Sequence, residues 1–413
     1  MSKNIFTSDK TMRSVQEVII YSLVLEAFFI SLFPVVAEIS LLIGFLFFLY
    51  KWKFKADFHY KKTKFFWPIT VFTVCGLISI TGSPDPGFSF YNFYNLVGVY
   101  LITYIMVTQN VDEYSDVKKI MYALAWSMTL VIGYGFFQYI FGISTADMKW
   151  VDGEAFPELK KRVFSTWENP NILAAYLDIV ICVMLGIFVK LDKNDRKGKR
   201  WRNYLTIGIV CAVACLAMTY ARGACLTIGV IVAGYGIMRD WRILAGLVVV
   251  AGAVLALDPV LLERLTTALS VQDTSSEMRL AMWESTVQMI MDHPLRGIGW
   301  GAYWMVYPLY DFYIVDGSVM LVHAHNIYLN YIAEIGIIGG LAYFAWFFGS
   351  MGTALFSKKY LQSNVYEGIL FGLGLALISV ALNGLTDDVL FNIPSSMLLW
   401  MICGLICVID EKL

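Results

Sequence analysis

Nine residues in five short stretches of the sequence have side chains able to bind an anion, move a proton or orient a neighbour that does so. They are Arg162, Asn171, Arg222, Arg279, His323, His325, Asn326, Asp387 and Asp388. An arginine fork matches the oxygens of a phosphate group. A histidine can act as a general base because imidazole titrates near neutral pH, and a nearby acid can orient the ring. These residue types indicate chemistry at a phosphate or diphosphate.

Each stretch also has a structural interpretation that the sequence leaves open. The asparagines on either side of Pro170 fit helix capping, and Arg222, between two apolar runs, fits snorkelling to lipid phosphate. Arg279 fits a solvated helix face, and His325 fits a histidine that is hydrogen bonded at the membrane surface. Two histidines two residues apart lack the spacing of a helical zinc motif, and none of the seven cysteines has metal-ligand spacing. We therefore expect no metal and no cofactor.

The elements that must position these residues are membrane helices, because the chain is too apolar for a soluble domain. Of its 413 residues, 58% are hydrophobic and 15% are charged, whereas soluble domains have roughly 45–50% and about 25%. We predict an all-α integral membrane protein in which residues 1–413 form a single polytopic membrane domain with about 12 transmembrane helices. The apolar runs lie near 17–34, 36–50, 66–82, 93–108, 120–142, 172–190, 203–220, 223–238, 242–258, 326–356, 366–383 and 389–409. The net charge of −1 argues against a nucleic-acid partner.

The distribution of lysine and arginine predicts the orientation of these helices. With the N-terminus in the cytoplasm and twelve alternating spans, 23 of the 31 Lys and Arg residues fall on the cytoplasmic side. Arg162, Arg222 and Arg279 are among the remaining eight, on the outer side. Both termini are then cytoplasmic, and the candidate residues lie together outside the membrane.

The outer segment 259–325, between the ninth and tenth runs, is long for a connection and is not of low complexity. Methionines and aliphatic residues at helical spacing between 278 and 291 predict an amphipathic helix at the outer interface. The aromatic residues at 303–313 are typical of a headgroup-level belt, with sugar stacking as the alternative. The glycines of GIGWG at 297–301 indicate a structural turn, because a phosphate-binding loop would need a lysine and a strand–helix context.

Four pieces of the sequence resemble the O-antigen ligase and polymerase superfamily of bacterial envelope glycosyltransferases. They are RVFSTWENPN at 162–171, YARGA at 220–224, the run from Arg279-x-x-x-Trp283 to HPLRGIGWGAY at 293–303, and HAHNIYLNYIAEIGIIGG at 323–340. The resemblance implies a twelve-helix protein of the bacterial inner (cytoplasmic) membrane, with a large periplasmic loop between helices 9 and 10 and a periplasmic active site. It also implies a glycan donor on undecaprenyl diphosphate, an acceptor sugar, and catalysis without metal or nucleotide.

The resemblance also implies roles for individual residues. His325 matches the family's essential histidine, and Arg222 and Arg279 match the arginines that contact the diphosphate. Arg162 and Asn171 match a less decisive part of the pattern. The implied reaction is an inverting displacement with His325 as general base.

Alternative functions stay open at this stage. The favoured version of the reaction joins a polysaccharide to lipid A–core, but a polymerase that extends the lipid-linked glycan shares these motifs. A transporter or flippase is the alternative of another class. It is disfavoured because charged residues within the spans are few, namely Glu26, Asp178 and Glu334.

Overall fold

The computed structural model describes residues 9–55, 58–142, 162–192, 195–257, 274–311, 321–357, 359 and 361–413. Within these ranges the chain forms helices, turns and irregular connections and contains no strand. The predicted all-helical fold is confirmed. Parts of the outer segment predicted at 259–325, including Phe312 and Tyr313, fall outside the described residues.

The α-helices of the described ranges are numbered in chain order. They are α1 (Asp9–Phe29), α2 (Pro34–Phe54), α3 (Phe66–Ser79), α4 (Pro86–Asn95), α5 (Ile102–Asn110), α6 (Tyr114–Phe141), α7 (Pro170–Lys190), α8 (Arg196–Met218), α9 (Arg222–Met238), α10 (Trp241–Leu257), α11 (Thr274–Asp292), α12 (Tyr303–Val306), α13 (Ile327–Phe356), α14 (Asn364–Asn383) and α15 (Ile393–Glu411). A π-helical turn, Leu96–Leu101, joins α4 to α5.

Eight of the helical segments described here are long and apolar enough to cross a bilayer. They are Pro34–Phe54, Pro86–Asn110, Tyr114–Phe141, Pro170–Lys190, Arg196–Met218, Ile327–Phe356, Asn364–Asn383 and Ile393–Glu411. Each of the twelve predicted apolar runs overlaps a helix, and the chain between 17 and 50 forms two helices that break at 30–33. The chain is thus a multi-pass helical membrane protein, and the count of twelve spans stays a prediction.

The connections between helices gather at two ends of the bundle. We call one end the site face, formed by 30–33, 80–85, 162–169, 219–221, 293–302, 321–326 and 384–392. The other end is the opposite face, where Lys64 pairs with Asp410 at 2.6 Å and Lys412 with Asp112 at 2.6 Å. Every candidate residue of the sequence lies at or beside the site face.

Helix α13 is interrupted near its start, and the long connection that precedes it fills the interruption. Gly336 has φ 78° and ψ 166°, outside the helical range. The freed carbonyl groups of Ala333 and Glu334 accept hydrogen bonds from the backbone N–H groups of Ile298 and Gly299, at 2.9 and 3.1 Å. Irregular backbone at membrane depth needs such protein partners. The 294–301 loop is therefore hydrogen bonded into the helix bundle.

Two glycines make this close approach possible. A Cβ atom at Gly297 would lie 2.3 Å from the carbonyl oxygen of Glu334, and one at Gly336 would lie 2.2 Å from that of Leu295. Both glycines also have a positive φ, which side chains disfavour. The structural turn predicted from GIGWG is confirmed, and it ties α11 to α13.

Helix α11 has a buried face that packs on the aromatic stretch after it. Met282 and Met289 are buried with Tyr303 and Tyr307, and the Thr286 hydroxyl lies 2.8 Å from that of Tyr303. Tyr303 is 0% exposed and Tyr307 is 3% exposed. The predicted helix is present, but the aromatic-belt prediction is wrong for these two tyrosines, because α11 covers them.

Candidate active site

His325 lies in the turn that leads into α13 and has a left-handed backbone, with φ of 48°. The next residue, Asn326, caps the helix: its side-chain oxygen accepts the N–H groups of Tyr328 and Leu329, and its amide donates to the carbonyl of Leu385. Asn326 was a candidate for substrate contact, but its side chain is committed to the helix start. The cap fixes where His325 projects from the bundle.

Strained backbone is concentrated at the site face. Within the described ranges, the residues other than glycine with a positive φ are Ser165, Glu168, Tyr220 and His325. All four belong to segments that carry predicted site residues. Such conformations cost about 1–3 kcal/mol each and cluster at active sites and ligand clamps.

A chain of hydrogen bonds crosses the site face from His325. The Nδ1 atom of His325 lies 2.8 Å from Oδ1 of Asp387, and Oδ2 of Asp387 accepts from Nδ2 of Asn171 at 3.2 Å. The Oδ1 atom of Asn171 accepts from Nη2 of Arg162 at 2.7 Å, and Arg162 Nε donates to the carbonyl of Thr219 at 2.7 Å. Predicted residues from three distant segments thus form one connected network. Arg162 supports this network through its guanidinium group.

This network fixes which nitrogen of His325 carries the proton. A guanidinium only donates, so Asn171 turns its oxygen toward Arg162 and its amide N–H toward Asp387. The Asp387 carboxylate only accepts, so His325 carries its proton on Nδ1. The lone pair is then on Nε2, for which no hydrogen-bond partner is found among the described residues. Nε2 is free to accept a proton.

The two neighbouring acids have opposite electrostatic surroundings. Burial raises the pKa of Asp387, but the hydrogen bond from His325 and the electrostatic effects of His325, His323 and Arg279 lower it by more, so that its pKa lies well below the usual range. Burial instead raises the pKa of Asp388 to about 7, with a smaller opposing effect from the N–H of Leu390. Asp387 is therefore the ionised partner of the histidine.

His323 is buried and hydrogen bonded to the strained turn at His325. It is 6% exposed, and burial lowers its pKa to about 3, with a further decrease caused by His325. Its neutral ring accepts the backbone N–H of His325 on Nδ1 at 3.2 Å and contacts Phe391 at 4.9 Å between ring centres. The sequence could not show whether His323 faces solvent or contacts His325, and the structure shows that it is buried and bonded to the backbone of His325.

Three side chains in this site have the spacing of a possible metal site. Ligand atoms of His323, His325 and Asp387 lie within 4.8 Å of one another. The sequence spacing did not indicate this group, because Asp387 is 62 residues from His325. In the observed arrangement the His325–Asp387 hydrogen bond and the backbone bond to His323 already occupy an atom of each.

The helices that carry Arg222 and Arg279 approach the two segments that carry the histidine–aspartate pair. Arg222 begins α9, and a Cβ atom on the adjacent Gly223 would lie 3.5 Å from the hydroxyl of Thr386. Arg279 acts electrostatically on Asp387. Its helix is held at the site because Trp283 donates to the carbonyl of Ala324 at 3.1 Å. Both arginines are half-buried.

Sequence reasoning missed two contributors to the site. Thr219 contributes only its backbone carbonyl, and Trp283 contributes an indole N–H to the turn before His325. A backbone acceptor leaves no mark in residue type. Nothing in the sequence shows that the segment of Trp283 meets the segment before His325.

Fold and site define a multi-pass membrane protein with a hydrogen-bonded histidine–aspartate pair and two half-buried arginines at one face. Residues 207–344 match the family model described as O-antigen ligase. This segment, about a third of the chain, contains Arg222, Arg279 and His325 but not Asn171 or Asp387. The match confirms the resemblance to the O-antigen ligase superfamily and supports a membrane enzyme of the ligase or polymerase type. No match is found among curated proteins.

Proposed function

We propose that the protein is a glycosyltransferase that moves a polysaccharide from undecaprenyl diphosphate to an acceptor sugar, most specifically to lipid A–core in O-antigen ligation. The observation that carries the proposal is the His325–Asp387 pair, which leaves Nε2 of the histidine free, together with half-buried Arg222 and Arg279 on helices that approach the same segments. The family match at 207–344 supplies the substrate class.

The proposed reaction is a single displacement at the anomeric carbon of the donor glycan. Nε2 of His325 takes the proton of the acceptor hydroxyl as its oxygen attacks the anomeric carbon. The bond from that carbon to the diphosphate oxygen breaks, and undecaprenyl diphosphate leaves with the bonding electrons. The imidazolium that forms is stabilised by ionised Asp387 at 2.8 Å. The configuration at the anomeric carbon is inverted.

The arginines match the charge that develops on the leaving group. As the diphosphate departs, negative charge grows on its oxygens, and forked donors stabilise it best in a site partly screened from water. Arg222 and Arg279 are half-buried on two different helices, which allows them to hold the diphosphate from two directions. Arg162 does not bond the histidine–aspartate pair directly; it donates to Asn171 and thereby orients the amide that bonds Asp387.

We further propose that the site face is periplasmic and that both termini are cytoplasmic. Of the described cationic residues, the site face carries four arginines, at 162, 222, 279 and 296, whereas the lysines lie at the opposite face and near the chain ends. Lysine and arginine concentrate on the cytoplasmic side of membrane proteins. This assignment puts the reaction at the outer leaflet of the bacterial inner membrane.

The break in α13 does not favour the transporter alternative. Transporters use broken helices to line a cavity with charged groups near the midplane. Here the break is filled by backbone hydrogen bonds from the 294–301 loop, and Glu334 accepts the N–H of Gly301 at 2.9 Å. The buried acid holds a loop in place.

The decisive experiment is reconstitution of the purified protein with a defined lipid-linked donor and two acceptors, lipid A–core and a second lipid-linked unit. Glycan on lipid A–core identifies a ligase, and a lengthened lipid-linked glycan identifies a polymerase. Absence of both products would contradict the proposal and favour transport. EDTA should leave transfer intact; loss that Mg²⁺ or Zn²⁺ restores would instead assign the His323–His325–Asp387 group to a metal.

Variants test the assigned roles in the same assay. His325→Ala should abolish transfer. His293→Ala, the same substitution at the site-face histidine that follows α11, should not. Arg222→Lys and Arg279→Lys should each reduce turnover, because a point charge loses the fork, while exposed Arg296→Lys is the control. Normal transfer by His325→Ala would remove it as the base.

A further inference from the structure

Directly beneath the site, three buried polar side chains join three helices inside the membrane. Nδ2 of Asn383 donates to Oδ2 of Asp178 at 2.8 Å, and the Thr227 hydroxyl donates to Oδ1 of Asn383 at 3.1 Å. Their exposures are 0% for Asp178, 5% for Asn383 and 6% for Thr227. These residues belong to α7, α14 and α9. The proposed reaction uses none of them.

Each member of this triad shares an element with a site residue. Asp178 follows Asn171 by two turns of α7, and Thr227 follows Arg222 by less than two turns of α9. Asn383 ends α14, four residues before Asp387. The triad therefore links the three elements that carry the diphosphate arginine, the asparagine and the histidine's carboxylate partner.

Asn383 connects the triad to the catalytic loop directly. While its side chain bonds Asp178 and Thr227, its backbone carbonyl accepts the N–H groups of Thr386 and Asp387, at 3.1 and 3.0 Å. A shift of Asn383 would thus move Asp387 relative to His325. Three hydrogen bonds lead from Asp178 to His325, through Asn383 and Asp387.

The triad is not explained by bundle stability alone. Oδ1 of Asp178 is buried and has no hydrogen-bond partner among the described residues. A buried polar atom without a hydrogen-bond partner destabilises a membrane-spanning helix bundle, and an apolar residue of similar shape would avoid that loss of stability. Helices α7 and α14 already pack closely through glycine, since a Cβ atom at Gly186 would lie 2.2 Å from the Cα atom of Gly372.

We propose that Asp178, Asn383 and Thr227 form an intramembrane brace that sets the position of Asp387 and Arg222 relative to each other. The brace acts through hydrogen bonds and needs no charge on Asp178. This inference rests on the proposed transfer reaction for its kinetic consequences, but its geometry can be tested without that reaction.

Kinetic variants separate a brace from a charged site. Asp178→Leu and Thr227→Val should lower kcat about ten- to a hundredfold, as expected for displaced reacting groups, with donor KM changed less than about threefold. Asp178→Asn keeps an acceptor oxygen and should remain near wild type. Asn383→Asp should be impaired, and the exchanged pair Asp178→Asn with Asn383→Asp should recover. Thr108→Val, which removes a buried hydroxyl bonded within its own helix, is the control.

Crosslinking reports the geometry directly. With Cys225 replaced by serine, a cysteine pair at Gly223 and Thr386 should form a disulfide readily, because a Cβ atom at 223 would lie 3.5 Å from the Thr386 hydroxyl. Its rate of formation, followed by mass spectrometry of linked peptides, should fall in Asp178→Leu and recover in the exchanged pair.

The kcat values and crosslinking rates of the Asp178 variants decide for or against the brace. Wild-type kcat and crosslinking in Asp178→Leu would overturn the brace. An inactive Asp178→Asn with normal crosslinking would also overturn it and assign Asp178 to a proton or cation site. If the wild-type protein transfers no glycan, the proposed function fails, and the crosslinking rates still decide for or against the brace.

Discussion

Asp387→Asn is the sharpest test of the proposed catalytic pair, because it changes charge and hydrogen-bonding direction with almost no change in shape. Three donors converge on the carboxylate: Nδ1–H of His325, Nδ2–H of Asn171 and the backbone N–H of Asp388. An asparagine there can accept with one atom only. If its amide group faces His325, the imidazole must move its proton to Nε2, and the base is lost.

The size of the effect follows from the exposure of the pair. Opposite unit charges about 4 Å apart attract by about 4 kcal/mol at an effective dielectric constant of about 20. The His325 and Asp387 side chains are 31% and 20% exposed, so solvent screens part of this attraction. About 2–4 kcal/mol of lost imidazolium stabilisation corresponds to a fall in kcat of about 30- to 1000-fold.

The assay is transfer from a defined lipid-linked donor, with kcat and donor KM measured separately for wild type and variant. We expect kcat to fall while donor KM changes little, because the carboxylate stabilises a charge that exists only during the reaction. Asp410→Asn is the matched control, since Asp410 is also paired, with Lys64 at 2.6 Å, but lies at the opposite face. Asp387→Asn with wild-type kcat and an unchanged thermal midpoint would refute the role of the pair.

Other predictions concern stability and the turn that holds His325. The pKa of Asp388 is about 7 in the folded protein, against an ordinary value of 3.8. Between these pH values the folded protein binds a proton that the unfolded chain has released, so the protein loses stability as pH rises from 3.8 to 7. Asp388→Asn should remove this contribution to the pH dependence of the thermal midpoint. His323, with a pKa of about 3 against 6.5, gives the opposite slope, loss of stability as pH falls below 6.5, and His323→Asn should abolish it. Gly336→Ala should lower the midpoint strongly by displacing the 294–301 loop, whereas Gly352→Ala, with open space around it, should not. Unchanged pH slopes in the first two variants, or equal midpoints in the glycine pair, would contradict these assignments.

The helices could be predicted because a helix that crosses a bilayer needs a run of about 20 mostly apolar residues. Each apolar run of the sequence overlaps a helix, and Pro34 marks the start of α2. The break in α13 is different, because IAEIGIIGG reads as uninterrupted apolar helix. Gly336 leaves the helical conformation only because the 294–301 loop supplies hydrogen bonds, and that pairing of distant segments has no local signature.

The site was predictable in its parts but not in its connections. Residue type and side of the membrane made Arg222, Arg279 and His325 candidates, because ionisable groups beside apolar runs are costly without a partner. The resemblance to the O-antigen ligase superfamily then implied their roles. Which acid partners the histidine is decided by a contact across 62 residues. The adjacent acids Asp387 and Asp388 look equivalent in sequence, and only their burial and donors separate them.

The three donors to Asp387 bear on the stereochemistry of the proposed reaction. An enzyme that retains configuration needs a carboxylate free to attack the anomeric carbon, at a short distance from its partner acid. Asp387 is committed to three donors, and Asp388 is buried at 4% exposure with its side chain bonded to the N–H of Leu390. Asp387 cannot leave its partners without releasing His325 from the tautomer that the network fixes, and Asp388 would have to leave its buried position and its bond to Leu390. In the proposed reaction the nucleophile is therefore the acceptor hydroxyl, activated by Nε2 of His325, and we expect a single displacement with inversion at the anomeric carbon.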